Sequence, residues 1–306
     1  MILRNFNELI GVAKVRGRRT VAVARAEEES VLEGLRMAWE DELVEPVLVG
    51  DGRRIEALVG RLGLPPGWRV VHAAGDDCDA ARRAVQVLRD GEAELLMKGQ
   101  MQTSTLFKAV LEHSQGLPKN GILSHIAFVE IASYPKLFGA TDGGLTVQPS
   151  FEQKVRIVRN AAQAFHRLGY RRPKIGLLSY VERVKEGDPE TMDWRRIVEM
   201  AQGGAFGDVV VEGPLAMDLC LSLEAKRVKR VDSEVAANVD VIVAPNITAC
   251  NASTKALILQ GGSGAGVVVG ASAPIVALSR GDAPKTRLCS IAAAIAMLPE
   301  RRSDAC

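Results

Sequence analysis

The chain has 306 residues, 47% of them hydrophobic and 25% charged, with 39 Lys+Arg against 37 Asp+Glu for a formal net charge of +2. So even a balance gives no ground for charge-driven binding to nucleic acid or a membrane surface, and the length exceeds what one hydrophobic core usually supports, so two domains are expected. The five cysteines, Cys78, Cys220, Cys250, Cys289 and Cys306, are scattered and lack C-x-x-C spacing, which speaks against a disulfide framework and a zinc site and for a reducing cytoplasm.

No run approaches the roughly 18 to 20 apolar residues of a membrane span, and the first residues lack a basic-then-apolar leader, so neither insertion nor export is expected. Arg16–Arg19 and Lys226–Arg230 are the only strongly basic clusters, and both are expected to be solvated faces, the alternative being contact with the phosphates of a nucleotide-containing ligand.

From Thr20 the chain alternates short β-branched runs with segments of helical period. Thr20–Ala24 reads as a strand and Glu28–Glu40 as a helix with Val31, Leu32, Leu35 and Ala38 on one face. Pro46–Val49, Arg69–His72 and Ala93–Met97 continue as strands, separated by helices over Ile55–Leu62 and Asp79–Arg89. This alternation predicts a largely parallel sheet with helices on both faces.

The strand ending at Met97 runs into Lys98-Gly-Gln-Met-Gln-Thr-Ser104 and a helix over Thr105–Glu112. A cation, a glycine and hydroxyls at the end of a strand make an anion site, or else a helix cap from Thr103 or Ser104 beside a solvated Lys98. Gly121–Glu130 and Lys136–Thr141 then read as paired strands around Ser133-Tyr-Pro135, a break in the alternation taken as entry into a second domain.

Thr141-Asp-Gly-Gly144 closes that pair. A helix follows over Ser150–Leu168, a strand over Lys174–Leu178, a helix around Asp193–Ala201, a strand over Val209–Glu212 and a helix over Asp218–Lys229. The strand Val239–Pro245 leads through a loop, Asn246–Asn251, to a helix over Ala252–Leu259; Gly261–Gly266 is read as a turn before the strand Val267–Val269. The expected domains are 1–120 plus 271–306, and 121–270.

The last element is an apolar run, Ile275–Leu278, cut by Ser279-Arg280-Gly281-Asp282 and followed by an alanine-rich helix, Leu288–Leu298. Strand, tight turn and helix N-terminus form an anion-binding arrangement at the carboxyl end of an α/β sheet. A hydroxyl and a guanidinium in that turn point to phosphate handling. Asp282 is either the helix N-cap, with Pro284 in the first turn, or an active-site carboxylate.

The usual nucleotide and hydrolase motifs are missing. Gly261–Gly266 misses G-x-G-x-x-G, has no P-loop lysine and carries Ala265 where a nucleophile elbow needs glycine. His72, His113, His125 and His166 have no metal-ligand spacing; His72 is read as a core histidine, while His125 stands beside Ser124 at the expected domain junction. Cys250 is read as inert, with no base in sight to activate it.

Taken together, Ala273-Pro-Ile-Val-Ala-Leu-Ser-Arg-Gly281, Val243–Lys255, Glu212–Asp218, Met97-Lys-Gly99, Leu123-Ser-His-Ile-Ala127, Thr141-Asp142 and Phe151-Glu-Gln-Lys-Val155 resemble the phosphate acetyltransferase/phosphate butyryltransferase family, closer to its butyryltransferase branch. The resemblance is co-linear from about Thr20 onward. It implies two α/β/α domains of the isocitrate/isopropylmalate dehydrogenase-like kind with an interdomain cleft, and a homodimer or higher homo-oligomer. It also implies exchange of an acyl group between coenzyme A and phosphate, with coenzyme A as substrate and neither metal nor prosthetic group.

By position, Ser279 and Arg280 fall on the family's catalytic pair, with Asp282 beside them. Ser124 falls on a phosphate-proximal serine, and His125, Lys98, Thr141, Asp142, Asn246, Asn251 and Lys255 are implied substrate-binding positions. Several positions depart from the pattern. Thr286 stands where the acetyltransferase branch has an aspartate, Asn246 replaces an aspartate, Cys250 a glycine, and Asn238, Thr146 and Ser150 other polar residues. Two rival readings follow: a catalytically degenerate homologue that binds coenzyme A or phosphate, and a metal- and NAD-dependent dehydrogenase of the same architecture, for which neither an aspartate cluster nor a nucleotide loop is seen.

Overall fold

The computed structural model describes residues 2–65, 67–73, 75–117, 119–279 and 281–301, so that Arg280 and Cys306 lie outside the described residues. The chain runs through α1 (Phe6–Arg16), β1 (Arg19–Ala24), α2 (Glu29–Glu40), β2 (Val44–Gly50), α3 (Gly52–Arg61), β3 (Arg69–His72), α4 (Asp77–Arg89), β4 (Leu95–Lys98) and α5 (Thr103–Leu111). It continues with β5 (Lys119–Glu130), β6 (Phe138–Thr141), α6 (Phe151–Arg167), β7 (Lys174–Leu178), α7 (Pro189–Gln202), β8 (Val210–Leu215), α8 (Met217–Leu221), α9 (Leu223–Val228), β9 (Val241–Val243) and α10 (Ile247–Leu259). It ends with β10 (Ser263–Ala271), β11 (Ile275–Val276) and α11 (Pro284–Ala296).

Two compact units result: Asn7–Asn120 with Ala265–Cys306, and Met1–Phe6 with Gly121–Gly264. In the first, the strands lie in the order β3-β2-β1-β4-β11-β10. All are parallel except β10, which runs against β11 at Val268↔Ile275. Val21–Ala24 and Leu95–Met97 are buried on both faces of the sheet, which is why they read as continuous apolar runs instead of alternating ones.

One helix of this unit is buried around its whole circumference: Arg287 through Ala296 of α11 are all buried, apolar but for Arg287 and Ser290. Its close neighbour is α2. Gly34 makes the approach feasible, since a Cβ there would lie 2.7 Å from the Arg287 Cβ, closer than side-chain carbons pack.

The second unit orders its strands β5-β6-β9-β7-β8. β5 and β6 form the expected antiparallel pair, Ala127 opposite Ala140, and β6, β9, β7 and β8 are parallel. Its core gathers Val129, Phe138, Leu219, Val239 and Ile242. Trp194 is fully buried on α7 and satisfies its indole N–H on the Leu178 carbonyl at 3.0 Å.

Several expectations need correction. Residues 2–6 pack with the unit of residues 121–264: the Leu3 N–H donates to Tyr170 Oη at 3.0 Å, and the Phe6 N–H donates to Glu130 Oε2 at 2.7 Å. The division at 270 moves to 264/265, inside β10, where a continuous strand offers no linker signal. Ser263–Gly266 is strand, not turn, and α10 starts at Ile247, within the expected loop. The helix expected over Asp218–Lys229 is broken at Ser222, whose hydroxyl caps α9 by accepting the Ala225 N–H at 3.1 Å.

Among the charged residues, Arg19 is only 4% exposed and is paired with Glu94 at 2.5 Å, so the first basic cluster is not a wholly solvated face. His72 is exposed, contrary to its reading as a core residue, and its Nδ1 accepts the Gly52 N–H at 3.2 Å. Among the described residues, no helix is long and apolar enough to cross a membrane.

Candidate functional site

In the unit of residues 7–120 and 265–301, the strands at the sheet's centre bring candidate residues together at their carboxyl ends. Ala24 of β1 is in register with Lys98 of β4, and Val276 of β11 with Met97 of β4. Arg25, Lys98 and Ser279 therefore follow three neighbouring strands. The chain proceeds from β1 to β2 and β3 in one direction, while β4 lies on β1's other side, so this crevice is where strand order reverses and ligands of α/β sheets bind.

Ser279 is exposed, and among the described residues no hydrogen bond engages its hydroxyl. Its backbone N–H donates to Asp282 Oδ2 at 2.7 Å, and the Asp282 N–H returns to the Ser279 carbonyl at 3.3 Å. Asp282 is thus the clasp of the turn and not the helix cap: the cap position of α11 is Ala283, with Pro284 starting the helix. The reading of Asp282 as N-cap fails because its carboxylate finds a donor behind it before it finds one ahead.

Lys98 is 4% exposed, not solvated, and its ammonium donates to the carbonyls of Gly99 and Met101, both at 3.2 Å. Neither Thr103 nor Ser104 caps α5; that position is Gln102, with no side-chain hydrogen bond. Gly99 presses on the loop after β1, donating its N–H to the Ala24 carbonyl at 2.8 Å, and a Cβ there would run into the Arg25 carbonyl.

Arg25 was missed by the sequence reading. It sits in the left-handed region at φ 56° and bridges Asp77 at 2.9 Å and Glu27 at 3.3 Å. The available signal was a cation directly after a buried strand, the same pattern that singled out Lys98.

The unit of residues 121–264 holds the other candidates. Ser124 and His125 lie on β5, Thr141 ends β6 and Asp142 follows it, and Asn246 follows β9, which pairs with β6. The Asp142 carboxylate is 3% exposed and accepts the N–H groups of His125 (3.1 Å), Gly144 (3.0 Å) and Leu145 (3.1 Å) on Oδ1 and of Thr146 (2.9 Å) on Oδ2. It organises the loop that follows β6 and ties it to β5. Its oxygens are largely committed to the backbone, which fits a scaffold better than a substrate ligand.

Asn246 Oδ1 accepts the Ala249 N–H at 2.9 Å and caps α10, so the side-chain oxygen of this implied substrate-binding position is committed to the start of the helix. Asn251 donates from Nδ2 to the Gly143 carbonyl at 3.0 Å, and Lys255, one turn further on, is exposed. Ser124 is fully buried and its hydroxyl accepts from Asn160 Nδ2 at 3.0 Å. Thr141 is also fully buried, and its Oγ1 has no hydrogen-bond partner among the described residues. The structure thus gathers Ser124, His125, Thr141, Asp142 and Asn251 around one loop, and leaves Lys255 on the outer surface of α10.

Cys250 packs beneath that loop: a Cβ at Gly143 would lie 3.3 Å from its sulfur. Burial, reinforced by the Asp142 charge, pushes its thiol up to about 12, so it stays protonated and unreactive. Asp240, just before β9, is a structural anchor: it pairs with buried Lys136 at 2.6 Å and accepts the Lys174 N–H at 2.8 Å. Among the described residues, no group of three or more His, Cys, Asp or Glu side chains is placed to hold a metal ion.

Compared with known proteins, residues 69–296 match the phosphate acetyl/butaryl transferase family. The chain is 34% identical over 294 residues to a phosphate butyryltransferase of Clostridium acetobutylicum, covering 96% of this chain and 98% of the relative. It is similar to a crystal structure of a branched-chain phosphotransacylase from Enterococcus faecalis, with TM-score 0.79 and 28% identity over 91% of this chain and 98% of that one. A 4-hydroxythreonine-4-phosphate dehydrogenase from Klebsiella pneumoniae, at 13% identity, TM-score 0.57 and coverage of 91% and 99%, shares the dehydrogenase-like α/β fold alone.

Proposed function

The chain belongs to the phosphate acetyl/butaryl transferase family, and from that premise we propose that it is a phosphate acyltransferase for short-chain acyl groups larger than acetyl, with the Ser279 turn handling phosphate. The reaction is acyl-CoA plus phosphate to acyl phosphate plus CoA. In the direction of acyl-CoA, the sulfur of CoA attacks the acyl phosphate carbonyl; the carbon–sulfur bond forms, the bond to the phosphate oxygen breaks, and phosphate leaves with the electron pair and, in the overall balance, takes up the thiol proton.

One observation carries this reading: an exposed serine hydroxyl, in a turn clasped by Asp282, stands between the carboxyl end of β11 and the first turn of α11. Backbone N–H groups and the positive end of a helix dipole favour the charge that builds on the carbonyl oxygen and on the departing phosphate. Arg280, adjacent in sequence, supplies a permanent cation of the bidentate kind suited to phosphate. Alignment of two substrates accounts for much of the remaining acceleration.

Names among the relatives support the larger acyl group: one is a phosphate butyryltransferase, another a branched-chain phosphotransacylase. The decisive assay incubates the protein with phosphate and acetyl-, propionyl-, butyryl- or isobutyryl-CoA and follows free thiol. Release fastest with butyryl- or isobutyryl-CoA is the expected outcome; preference for acetyl-CoA overturns the acyl assignment, and no release with any of them overturns the activity.

Thr286 and the buried Ser124 favour one alternative, a homologue that binds coenzyme A or phosphate without turnover. Calorimetric CoA binding without thiol release selects it. The reading extends to a homodimer or higher oligomer, for which Ile258 and Leu259, 38% and 83% exposed at the end of α10, offer apolar area to cover; sedimentation at micromolar concentration decides.

A further inference from the structure

Arg287 is a buried cation in the helix that follows the Ser279 turn. It lies in the first turns of α11, just after Thr286, and is 1% exposed. Its aliphatic stem lies on Gly34 of α2, and its Nη2 donates to Ser30 Oγ at 3.0 Å. Ser30 in turn donates to Glu28 Oε1 at 2.9 Å, and Glu28 occupies the N-cap position of α2 without capping it through its side chain. The guanidinium therefore ties the first turn of α11 to the first turn of α2, elements that follow β11 and β1.

Its own charge is poorly matched. Among the described residues, the only carboxylate within ion-pair reach is Glu28, at 3.7 Å, and Nε is buried without a hydrogen-bond partner. A guanidinium does not shed its proton in a protein, and burying a charge without full compensation is costly. Burial lowers its proton affinity, while the charges of Glu28 and Asp282 act the other way. Its sign adds to that of the α11 N-terminus, which points to the same turn.

We propose that Arg287 is an electrostatic positioning residue: a buried cation, incompletely neutralised by Glu28, that holds the first turns of α2 and α11 together and biases the Ser279 turn toward phosphate. The inference rests on the reading of that turn as the phosphate-handling site. It touches no substrate in this role; it acts through the turn and through the local potential. A merely structural arginine would contribute to stability without changing selectivity between the two substrates.

The test is steady-state kinetics with acyl-CoA and inorganic phosphate, alongside melting temperatures, for the wild type, Ser279→Ala, Arg287→Met, Arg287→Lys and Glu28→Gln. Arg287→Met is expected to raise KM for phosphate by about tenfold, the size of one partly screened charge interaction, with a smaller change in KM for acyl-CoA. Arg287→Lys restores most of that loss. Glu28→Gln removes the opposing charge and is expected to lower KM for phosphate several-fold, whatever it does to the melting temperature.

Should Arg287→Met fail to fold, Glu28→Gln still decides, because a scaffold role predicts an unchanged or raised KM for phosphate there. An unchanged or raised value in Glu28→Gln, or equal changes in both KM values in the Arg287 variants, overturns the inference. An unaltered Ser279→Ala enzyme overturns instead the reading of the turn on which it stands.

Discussion

Asp282 Oδ2 accepts the backbone N–H of Ser279 at 2.7 Å, so the carboxylate three residues downstream of the serine sets the serine's position and is not spent on capping α11. A turn closed this way presents its hydroxyl without the freedom of an open loop. Asp282→Asn retains an acceptor oxygen and is expected to keep most activity, whereas Asp282→Ala opens the turn and is expected to lower kcat/KM by about tenfold or more, the effect of misplacing a reacting group by a fraction of an ångström to an ångström. Steady-state thiol-release rates compare the two. Equal losses in both variants transfer the role from turn geometry to the carboxylate's charge or basicity.

Ser279 itself carries the heavier prediction. If its hydroxyl donates to charge developing in the transition state, Ser279→Ala lowers kcat by on the order of 10²-fold, as loss of an oxyanion donor does. Circular dichroism should be unchanged, since the side chain is exposed. An unaltered kcat removes the hydroxyl from the chemistry.

Asp142 is expected to act on stability before it acts on chemistry. Asp142→Asn converts an acceptor into an NH2 group facing backbone donors in a buried loop, and the loss should be about 1 to 3 kcal/mol in chemical denaturation. Native-like stability in this variant would mean that the loop is held by other contacts, such as Asn251 on the Gly143 carbonyl.

Glu94 offers a test by pH. Burial alone would raise its carboxyl, but the Arg19 guanidinium and the Thr20 N–H outweigh burial and hold it below its ordinary 4.5. A carboxyl depressed in the folded state adds stability that is present above the unfolded value and disappears as pH falls through the folded one. Glu94→Gln should therefore cost about 1 to 2 kcal/mol near pH 7, discounted for its partial exposure, and the gap to wild type should close as pH falls below 4.5 through the depressed folded value. A gap that persists at low pH would assign the effect to packing.

Cys250 should resist alkylation in the native protein at pH 8, since burial pushes its thiol up to about 12, and should react only on denaturation. Rapid native labelling of Cys250, detected by peptide mass spectrometry, contradicts its placement beneath the loop.

The β/α alternation from Thr20 to Met97 was legible because parallel strands buried on both faces must be apolar throughout, and amphipathic helices must follow a 3.6 period. The antiparallel pair β5 and β6 was legible for the same kind of reason: a second long apolar run with no helix between. The strand–turn–helix around Ser279 and the family to which the chain belongs were likewise written in the sequence, because strand ends, turn residues and helix starts are local features.

Only the tertiary structure decided where the committed polar atoms go. Whether Asp282 caps a helix or clasps a turn depends on which N–H lies nearer in space, and whether Asp142 is free or saturated depends on the approach of β5. Lys98 and Arg19 looked solvated because a cation's burial is set by neighbours far along the chain. Arg25 and Arg287 gained meaning only once the sheet order placed β1, β4 and β11 side by side and Gly34 let α2 and α11 close on one buried charge.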